Sequence, residues 1–322
     1  MKYIDDYITT LIVINDLKKK FEYEIEKNLN LIKVQSPLFV DKESGLQDNL
    51  TGREKSIDFN KGKTTFQIVH SLAKWKRDAL GRYNFPVRMG LYTDMKAIRK
   101  GETVDDIHSL YVEQWDWEKV ISKSDRNINY LKDTVNSIYT SILNTKEFIS
   151  SKYGIECEEM AERVVFITSQ DLEDMYPHLK PSEREYVITK KHGSVFIIGI
   201  GDNLKSGNPH DYRSPDYDDW DLNGDLLIYS SLLDKVIEVT SMGIRVDENS
   251  ILSQLEKSNS LERIDLPYHQ KIIKSELPYT IGGGIGQSRV LLLLLNKEHI
   301  AEVQASSWEQ KTLRLLKNNK IL

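Results

Sequence analysis

The stretch TIGGGIGQSRVLLLLL, residues 280–295, places four glycines within five residues directly before an apolar run. Because glycine has no side chain, such a backbone can approach a flat ligand closely. The apolar run predicts a helix that carries Arg289 on its first turn. An arginine there, together with the positive end of a helix dipole, suits the base and phosphates of a nucleotide. The stretch therefore predicts a nucleotide-binding segment.

Two common glycine motifs do not fit this stretch. A P-loop requires a Lys-Ser/Thr pair after its last glycine, but Gln287 and Ser288 stand there. A dinucleotide fingerprint, G-x-G-x-x-G, fails in both registers because its last position falls on Gln287 or on Arg289. A flexible turn before a core helix is the alternative interpretation of the glycines.

The composition is that of a soluble globular protein: of 322 residues, 39% are hydrophobic and 29% are charged. The formal net charge of -5 argues against a dedicated nucleic-acid-binding protein. The single cysteine, Cys157, excludes an internal disulfide and indicates a reducing compartment. The N-terminus shows no signal peptide, and the longest apolar runs are too short to span a bilayer. We therefore expect a cytoplasmic enzyme without nucleic-acid or membrane partners.

Hydrophobic periodicity predicts a long helix over residues 4–28 and a strand over 31–34 that stops at Pro37. Further strands are predicted at 64–69, 90–97, 109–117, 164–168, 194–200, 226–229 and 235–239, and helices at 125–153, 181–192, 250–255 and 267–275. Strands often follow one another without an intervening helix, which favours a mainly antiparallel sheet in an α+β domain.

No linker rich in proline, glycine or serine divides the chain, so residues 1–322 are expected to form a single catalytic domain. The first helix and strand, residues 4–37, form a candidate dimer element. A plain surface helix with an edge strand is the alternative interpretation of the same segment.

Polar and aromatic side chains alternate in the segment YVEQWDWEKV, residues 111–120. Because side chains alternate between the two faces of a strand, the polar residues share one face and the tryptophans the other. The polar face would carry Gln114, Asp116 and Glu118. It is either a solvated outer face or the floor of a polar ligand site, since carboxylate and amide groups bind ammonium groups.

Acidic residues continue in the C-terminal half. Asp218 and Asp219 belong to a segment that could equally be a charged surface loop. If their two strands form a hairpin, Asp225 and Glu238 can lie side by side. A divalent cation that also binds phosphate oxygens would relieve their repulsion, and Mg²⁺ is the natural candidate because all the ligands are oxygens.

Two arginines are placed to bind phosphates. Arg99 follows a predicted strand and Arg289 follows the glycines, so the two guanidinium groups could clamp a nucleotide from opposite sides. No Ser-His-Asp order or Cys-His pair is evident in the sequence. The pattern therefore predicts electrostatic stabilisation of phosphate chemistry rather than a protein nucleophile.

Specific strings occur along nearly the whole chain. They are VQSPLF (34–39), LQDNLTGREK (46–55), VHSLAKWKRDALG (69–81), GLYTDMKAIR (90–99), YVEQWDWEKV (111–120), RSPDYDDW (213–220), LNGDLLI (222–228), TSMGIRVD (240–247) and TIGGGIGQSR (280–289). In these strings the sequence resembles the ammonia-dependent asparagine synthetases, also called aspartate–ammonia ligases.

The resemblance implies the catalytic fold of class II aminoacyl-tRNA synthetases, an antiparallel sheet flanked by helices. It also implies a homodimer with segment 4–37 at its interface, and it makes Arg99 and Arg289 the arginines of the second and third class II motifs. In the implied reaction, aspartate attacks ATP to form β-aspartyl-adenylate and pyrophosphate. Ammonia then displaces AMP to give asparagine.

The resemblance also implies roles for individual residues. Those for nucleotide binding are Arg99, Gly282, Gly283, Gly284, Gly286 and Arg289; those for Mg²⁺ are Asp225 and Glu238; those for aspartate are Asp48, Lys76, Gln114, Asp116, Ser241 and Arg245. Arg99 and Arg289 would also act in catalysis, as would Asp218 and Asp219, which are candidates for attracting ammonium or accepting its proton.

Free ammonia is expected as the nitrogen source rather than glutamine. Residue 2 is Lys2, which is no N-terminal nucleophile, and the only thiol, Cys157, has acidic neighbours. One rival is a class II aminoacyl-tRNA synthetase. Two observations argue against it: the net charge is acidic, and the first predicted helix starts so early that no room is expected for an N-terminal anticodon module. The other is a non-catalytic binding paralogue, which would be expected to have lost site residues.

Overall fold

The structure is a computed structural model that describes residues 6–51, 54–317 and 321–322. The helices are α1 (Tyr7–Leu29), α2 (Ala73–Arg82), α3 (Ile128–Tyr153), α4 (Ser169–Met175), α5 (Pro181–His192), α6 (Ser250–Lys257), α7 (Pro267–Ile273), α8 (Gln287–Leu294) and α9 (Gln310–Leu315). The strands are β1 (Leu31–Lys33), β2 (Phe39–Asp41), β3 (Asp58–Lys61), β4 (Thr64–Ile68), β5 (Gly90–Ile98), β6 (Tyr111–Val120), β7 (Val165–Thr168), β8 (Ser194–Ile198), β9 (Asp218–Ser230), β10 (Lys235–Arg245) and β11 (Thr280–Gly286).

One eight-stranded sheet organises the molecule, in the order β1-β5-β6-β11-β10-β9-β8-β7. The interior pairs are antiparallel, and the two outermost pairs, β1 with β5 and β7 with β8, are parallel. A small separate sheet has the order β2-β4-β3. The α+β architecture with a mainly antiparallel sheet, predicted from the succession of strands, is confirmed.

The glycine-rich stretch lies inside the sheet. It forms β11, which pairs with β6 on one side and β10 on the other, and α8 starts at the next residue. The helix predicted after the glycines is confirmed, and the alternative of a flexible turn is wrong. A strand this rich in glycine can persist because two long neighbours supply its hydrogen bonds on both sides.

Three helices cover one face of the sheet. α1 and α3 pack against each other and against α8, and their apolar side chains join those of the sheet in the main core. Phe21 of α1 meets Trp115 of β6 at a ring-centroid distance of 4.4 Å. The side chains of Asp6 and Asn127 cap the first turns of α1 and α3, as expected for N-cap positions.

The opposite face of the sheet carries charged side chains that are nevertheless buried. Trp115 and Trp117 point into the core, as the alternation in the sequence predicts. On the other face, Asp116 and Glu118 are only 2% and 0% exposed. The interpretation of this face as a solvated outer surface is therefore wrong, because α2 packs over β6 and β11 there.

Most elements predicted from periodicity are confirmed within a few residues at each end. α1 begins at Tyr7, and the hairpin strands β9 and β10 are longer than predicted. Helices α2, α4 and α9 and strands β2, β3 and β11 had no prediction. Ile4 and Asp5 of the predicted first helix, and residues 52–53 of the string LQDNLTGREK, lie outside the described residues. Within the described ranges, no helix combines the length and the apolar character that crossing a membrane requires.

Candidate active site

A cavity of about 370 Å³ opens on the charged face of the sheet. Its walls come from β6, β9, β10 and β11, the start of α2 and the start of α8. Three connections also contribute: residues 48–51 with Glu54, the β5–β6 connection, residues 99–110, and the β8–β9 connection, residues 199–217. Charged residues from distant parts of the chain meet here, because the sheet brings four strands side by side and two helices begin at its edge.

Lys76 of α2 is fully buried at the inner end of the cavity. Its ammonium group donates to the Asp116 carboxylate, to the carbonyl oxygen of Trp117 at 2.8 Å and to that of Gly283 at 3.2 Å. Burial lowers the pKa of Lys76 and raises that of Asp116. All three ammonium protons therefore have acceptors within the protein, so Lys76 fixes the position of Asp116 and of the β11 backbone.

Arg245 of β10 lies between two buried carboxylates. Its Nε is 2.9 Å from Oε1 of Glu118 and its Nη2 is 2.7 Å from Oε2, while Nη1 donates to Asp218. Burial opposes ionisation of Glu118, but Arg245 outweighs it and holds the pKa of Glu118 below its ordinary value. Burial raises the pKa of Asp218 despite the same arginine. We call Lys76, Asp116, Glu118, Asp218 and Arg245 the inner cluster.

The missing side chain of Gly282 makes room for this cluster. A Cβ atom at Gly282 would lie 2.0 Å from Oε2 of Glu118 and 2.6 Å from Nη2 of Arg245. Real Cβ atoms do not approach other heavy atoms that closely, so only glycine permits the Glu118–Arg245 pair to cross β11. A Cβ at Gly284 would similarly meet Oε1 of Gln114 at 2.4 Å.

Asp48 closes the inner end from the other side. It is 1% exposed, accepts the backbone N–H of Leu50 at 2.8 Å and accepts the hydroxyl of Ser71. The backbone N–H of Leu72 donates to Oδ2 of Asp116 at 3.0 Å. The turn before α2 therefore aligns two carboxylates with the cavity.

Arg99 and Arg289 line the other end of the cavity. Nη1 of Arg289 donates to the carbonyl oxygen of Glu238 at 2.8 Å and lies 3.7 Å from its Oε1. Arg99 forms no ion pair within the part of the chain that the structure describes, and its buried Nε has no acceptor. Burial and the charge of Arg289 lower the pKa of Arg99. Two guanidinium groups that repel each other in a cavity form a site for a polyanion.

Asp225 and Glu238 face the same end of the cavity. Asp225 stands opposite Ser241 in the β9–β10 register, whereas Glu238 stands opposite Leu227, and a register shift between Glu238 and Thr240 leaves Val239 without a partner. Burial raises the pKa of Glu238, and the charge of Asp225 raises it further. The two carboxylates are thus close neighbours, although they are not directly paired as a simple hairpin would place them.

The pair meets the chemical requirements of Mg²⁺ in part. Neighbouring carboxylates are suitable oxygen ligands, and Mg²⁺ is often held by one or two carboxylates with the remaining positions on phosphates and water. In the ranges that the structure describes, no group of three or more His, Cys, Asp or Glu residues could hold a metal ion. The residues present therefore fit a cation that arrives with phosphates rather than a complete protein cage.

Most residues singled out in the sequence converge on this cavity. Those that line it are Asp48, Lys76, Arg99, Gln114, Asp116, Asp218, Asp225, Glu238, Ser241, Arg245, Gly283, Gly284, Gly286 and Arg289. Three do not. Glu118 is covered within the inner cluster, Gly282 lies against the Glu118–Arg245 pair, and Asp219 turns away and accepts from Nη2 of Arg126 at 2.8 Å.

Several lining residues had no assigned role. Three of them contact residues that did have an assigned role. Ser71 donates to Asp48, and Arg213 donates to Asp225. The ring of Tyr217 lies next to the guanidinium of Arg245. Arg213 and Tyr217 are part of the string RSPDYDDW, in which only the aspartates were predicted to act in the site. The arginine that begins this string is the sequence feature that could have indicated a further site residue.

The chain matches the protein family described as aspartate-ammonia ligase over residues 8–320. An aspartate--ammonia ligase of Clostridium perfringens is 55% identical over 315 residues, which cover 97% of this chain and 94% of the relative. One from Fusobacterium nucleatum is 52% identical over 314 residues, which cover 97% and 96%.

Among solved structures, the fold is similar to that of asparaginyl-tRNA synthetases. The enzyme of Entamoeba histolytica with asparaginyl-adenylate gives a TM-score of 0.64 at 12% identity, and that of Pyrococcus horikoshii with the same ligand gives 0.65 at 11%. Each match covers 92% of this chain, and the chain spans about two thirds of the synthetases, 66% and 67%. At this identity the likeness shows the fold, which is the predicted class II synthetase fold.

The Gly282 contact predicts a selective effect of adding one methyl group. Gly282→Ala should lower the free energy of unfolding by about 2–4 kcal/mol, because the methyl group forces the buried Glu118–Arg245 pair apart. Gly286→Ala is the matched control on the same strand, since its Cβ would meet Arg289 at an ordinary 3.5 Å. Urea unfolding of both variants measures the difference. Equal stabilities would contradict the steric role of Gly282.

Proposed function

The chain belongs to the aspartate–ammonia ligase family, whose members make asparagine from aspartate, ammonia and ATP, and on this premise we propose that the cavity is the active site and works through a β-aspartyl-adenylate. The observation that supports this most is the position of Arg99 and Arg289, which share one cavity with the Asp225–Glu238 pair and the inner cluster. A polyphosphate and an amino acid can therefore meet in one place.

The reaction requires activation of a carboxylate. Ammonia does not displace oxide from a free carboxylate near neutral pH, so the β-carboxylate of aspartate first attacks the α-phosphorus of ATP. Pyrophosphate leaves, and the resulting mixed anhydride has AMP as a good leaving group. Ammonia then attacks the acyl carbon, which gives asparagine and AMP.

Arg99 and Arg289 would bind the phosphates of ATP and stabilise the charge that develops on them. Burial lowers the pKa of Arg99 and the charge of Arg289 lowers it further, and a polyanion bound between the two groups would relieve their repulsion. Gly283, Gly284 and Gly286 leave the backbone of β11 uncovered on the cavity face of the sheet, so that the nucleotide would lie against it. Asp225 and Glu238 would hold Mg²⁺, which supplies positive charge to the phosphate oxygens when bound.

The inner end of the cavity would bind aspartate. Asp48, Gln114 and Asp116 are suited to its α-ammonium group, and Arg245 presents a guanidinium to a carboxylate. Ser241 lies between the two ends of the cavity. Lys76 would act mainly through Asp116 and the carbonyl oxygen of Gly283, because its three donors are already satisfied there.

Asp218 is our candidate for the group that accepts a proton from ammonium. Burial raises its pKa, which makes its carboxylate a stronger proton acceptor than an exposed aspartate. Asp219, the other candidate, does not reach the cavity. Cys157 lies outside the cavity, and burial raises its pKa, which argues against a glutamine-cleaving thiolate.

We further propose that the protein is a homodimer and that α1 contributes to its interface. The side chains of Tyr7, Ile8, Leu11 and Ile12 form an apolar strip that is 49–72% exposed on the N-terminal half of α1. Such a strip is unusual on the surface of a monomer. We also propose that residues 1–322 act as one catalytic domain and, since a single cysteine fits a reducing compartment, that the enzyme works in the cytoplasm.

The adenylate route predicts the nucleotide product. Incubation with aspartate, ATP, Mg²⁺ and ammonium should yield asparagine, AMP and pyrophosphate in equal amounts, measured by chromatography. Glutamine in place of ammonium should give almost no asparagine, because the described residues that line the cavity include no cysteine to release its amide. ADP as the product would refute the adenylate, and equal rates with glutamine would refute the nitrogen assignment.

Removing one guanidinium group tests the phosphate site. Arg289→Ala should lower kcat/KM for ATP by roughly a hundredfold or more, because charge in the transition state loses a preorganised partner. Arg82→Ala is the control, since Arg82 is 47% exposed and pairs with Asp78 away from the cavity. Thermal unfolding should show both variants folded. Near-normal turnover of Arg289→Ala would remove this residue from the site.

A charged residue on the apolar strip tests the interface. The double variant Ile8→Asp, Leu11→Asp should shift the molar mass from dimer to monomer in light scattering, because association would bury two carboxylates without partners. Leu315→Asp is the control, because Leu315 is 75% exposed on a different helix. A double variant that remains a dimer would place the interface elsewhere.

A further inference from the structure

Arg213 reaches the cavity from the β8–β9 connection, residues 199–217. The connection is fixed next to it, where the backbone N–H of Ser214 donates to the carbonyl oxygen of Leu50 at 2.8 Å. The Arg213 side chain is only 10% exposed. It is therefore held inside the cavity rather than on its rim.

The Arg213 guanidinium binds two residues that face each other across β9 and β10. Its Nη2 donates to Oδ1 of Asp225 at 2.7 Å, and its Nη1 donates to the hydroxyl of Ser241. Asp225 and Ser241 are direct partners in the strand register. The third donor, Nε, is buried and has no acceptor. The guanidinium thus occupies one carboxylate of the Asp225–Glu238 pair and keeps one donor unused.

The charge of Arg213 compensates this carboxylate pair. Its guanidinium lies 2.7 Å from Oδ1 of Asp225, and the two side chains are only 10% and 13% exposed. At this short distance and away from bulk water, the positive charge of Arg213 offsets the repulsion between Asp225 and Glu238. Arg213 therefore does for this carboxylate pair what a bound divalent cation would do.

We propose that Arg213 is a displaceable counter-ion: it neutralises Asp225 while the cavity is empty and releases it to the cation that enters with ATP. The proposal rests on the function proposed above, in which Asp225 and Glu238 hold Mg²⁺. The guanidinium and the cation repel each other and compete for one carboxylate. Once released, the guanidinium turns its unused donor towards a phosphate oxygen, so Arg213 positions the nucleotide as well.

This arrangement couples the two ligands. A cation without a nucleotide must displace Arg213 from Asp225 and leave a buried guanidinium without an anion, which is costly. A nucleotide supplies that anion, so cation and nucleotide bind more tightly together than separately. The alternative is that Arg213 merely tethers the β8–β9 connection, in which case its removal weakens binding of either ligand.

Cation binding without nucleotide separates the two possibilities. Free Mn²⁺ is titrated by electron paramagnetic resonance in the presence of full-length wild-type protein, Arg213→Gln and Arg213→Lys. Arg213→Gln should bind Mn²⁺ on the order of tenfold more tightly, because a positive charge next to the site is lost. Arg213→Lys keeps the charge and should stay close to the wild type. A merely structural role does not increase affinity.

Two controls identify the origin of the gain in Mn²⁺ affinity. Adding Asp225→Asn to Arg213→Gln should abolish that gain. Arg184→Gln should not change Mn²⁺ affinity, since Arg184 is a buried partner of Glu173 at 3.2 Å outside the cavity. Equal or weaker binding by Arg213→Gln overturns the proposal, as does a gain that survives Asp225→Asn. Formation of asparagine and AMP by the wild type is measured separately, so failure of the counter-ion role leaves the proposed function standing.

Discussion

The absence of side chains at Gly282, Gly283 and Gly284 of β11 is the constraint on which the site depends. Gly282 and Gly284 lie on the charged face of the sheet, where a Cβ atom would collide with the Glu118–Arg245 pair and with Gln114. Gly283 faces the core, where its Cβ would lie 2.5 Å from that of Met242. The strand is thin enough for charged side chains to cross one face while the apolar core packs closely on the other. Any larger residue would require one of these layers to move.

The buried charges of the inner cluster carry a desolvation cost, which good geometry and hydrogen bonds offset only in part. The opposite face of the same strands supplies the compensating apolar burial. Trp115, Trp117 and Phe21 are fully buried there, together with α3 and α8. The two faces of the sheet therefore differ in what they contribute. The face covered by helices stabilises the fold through apolar burial, and the cavity face positions the charged side chains. This separation explains how a domain can keep several ionised side chains inside.

The fold alone does not determine the chemistry, because asparaginyl-tRNA synthetases share it at 11–12% identity. The charged side chains that line the cavity must supply the chemistry, among them the carboxylates of Asp48 and Asp116 and the guanidinium groups of Arg99 and Arg289. In the proposed function, an acidic amino acid brings its ammonium group to the carboxylates, and ATP brings its phosphates to the guanidinium groups.

The sequence by itself determined the family, the α+β class, most helices and strands and most of the residues proposed for the site, because local periodicity and long specific strings can be recognised without knowledge of packing. Only the tertiary structure showed that β11 is a central strand and that Asp219 turns to Arg126. It also showed that the Lys76 ammonium donates all its hydrogen bonds to acceptors within the protein. It alone revealed that Arg213 binds Asp225. These facts depend on which distant segments meet and on the register of paired strands, and a linear pattern encodes neither directly.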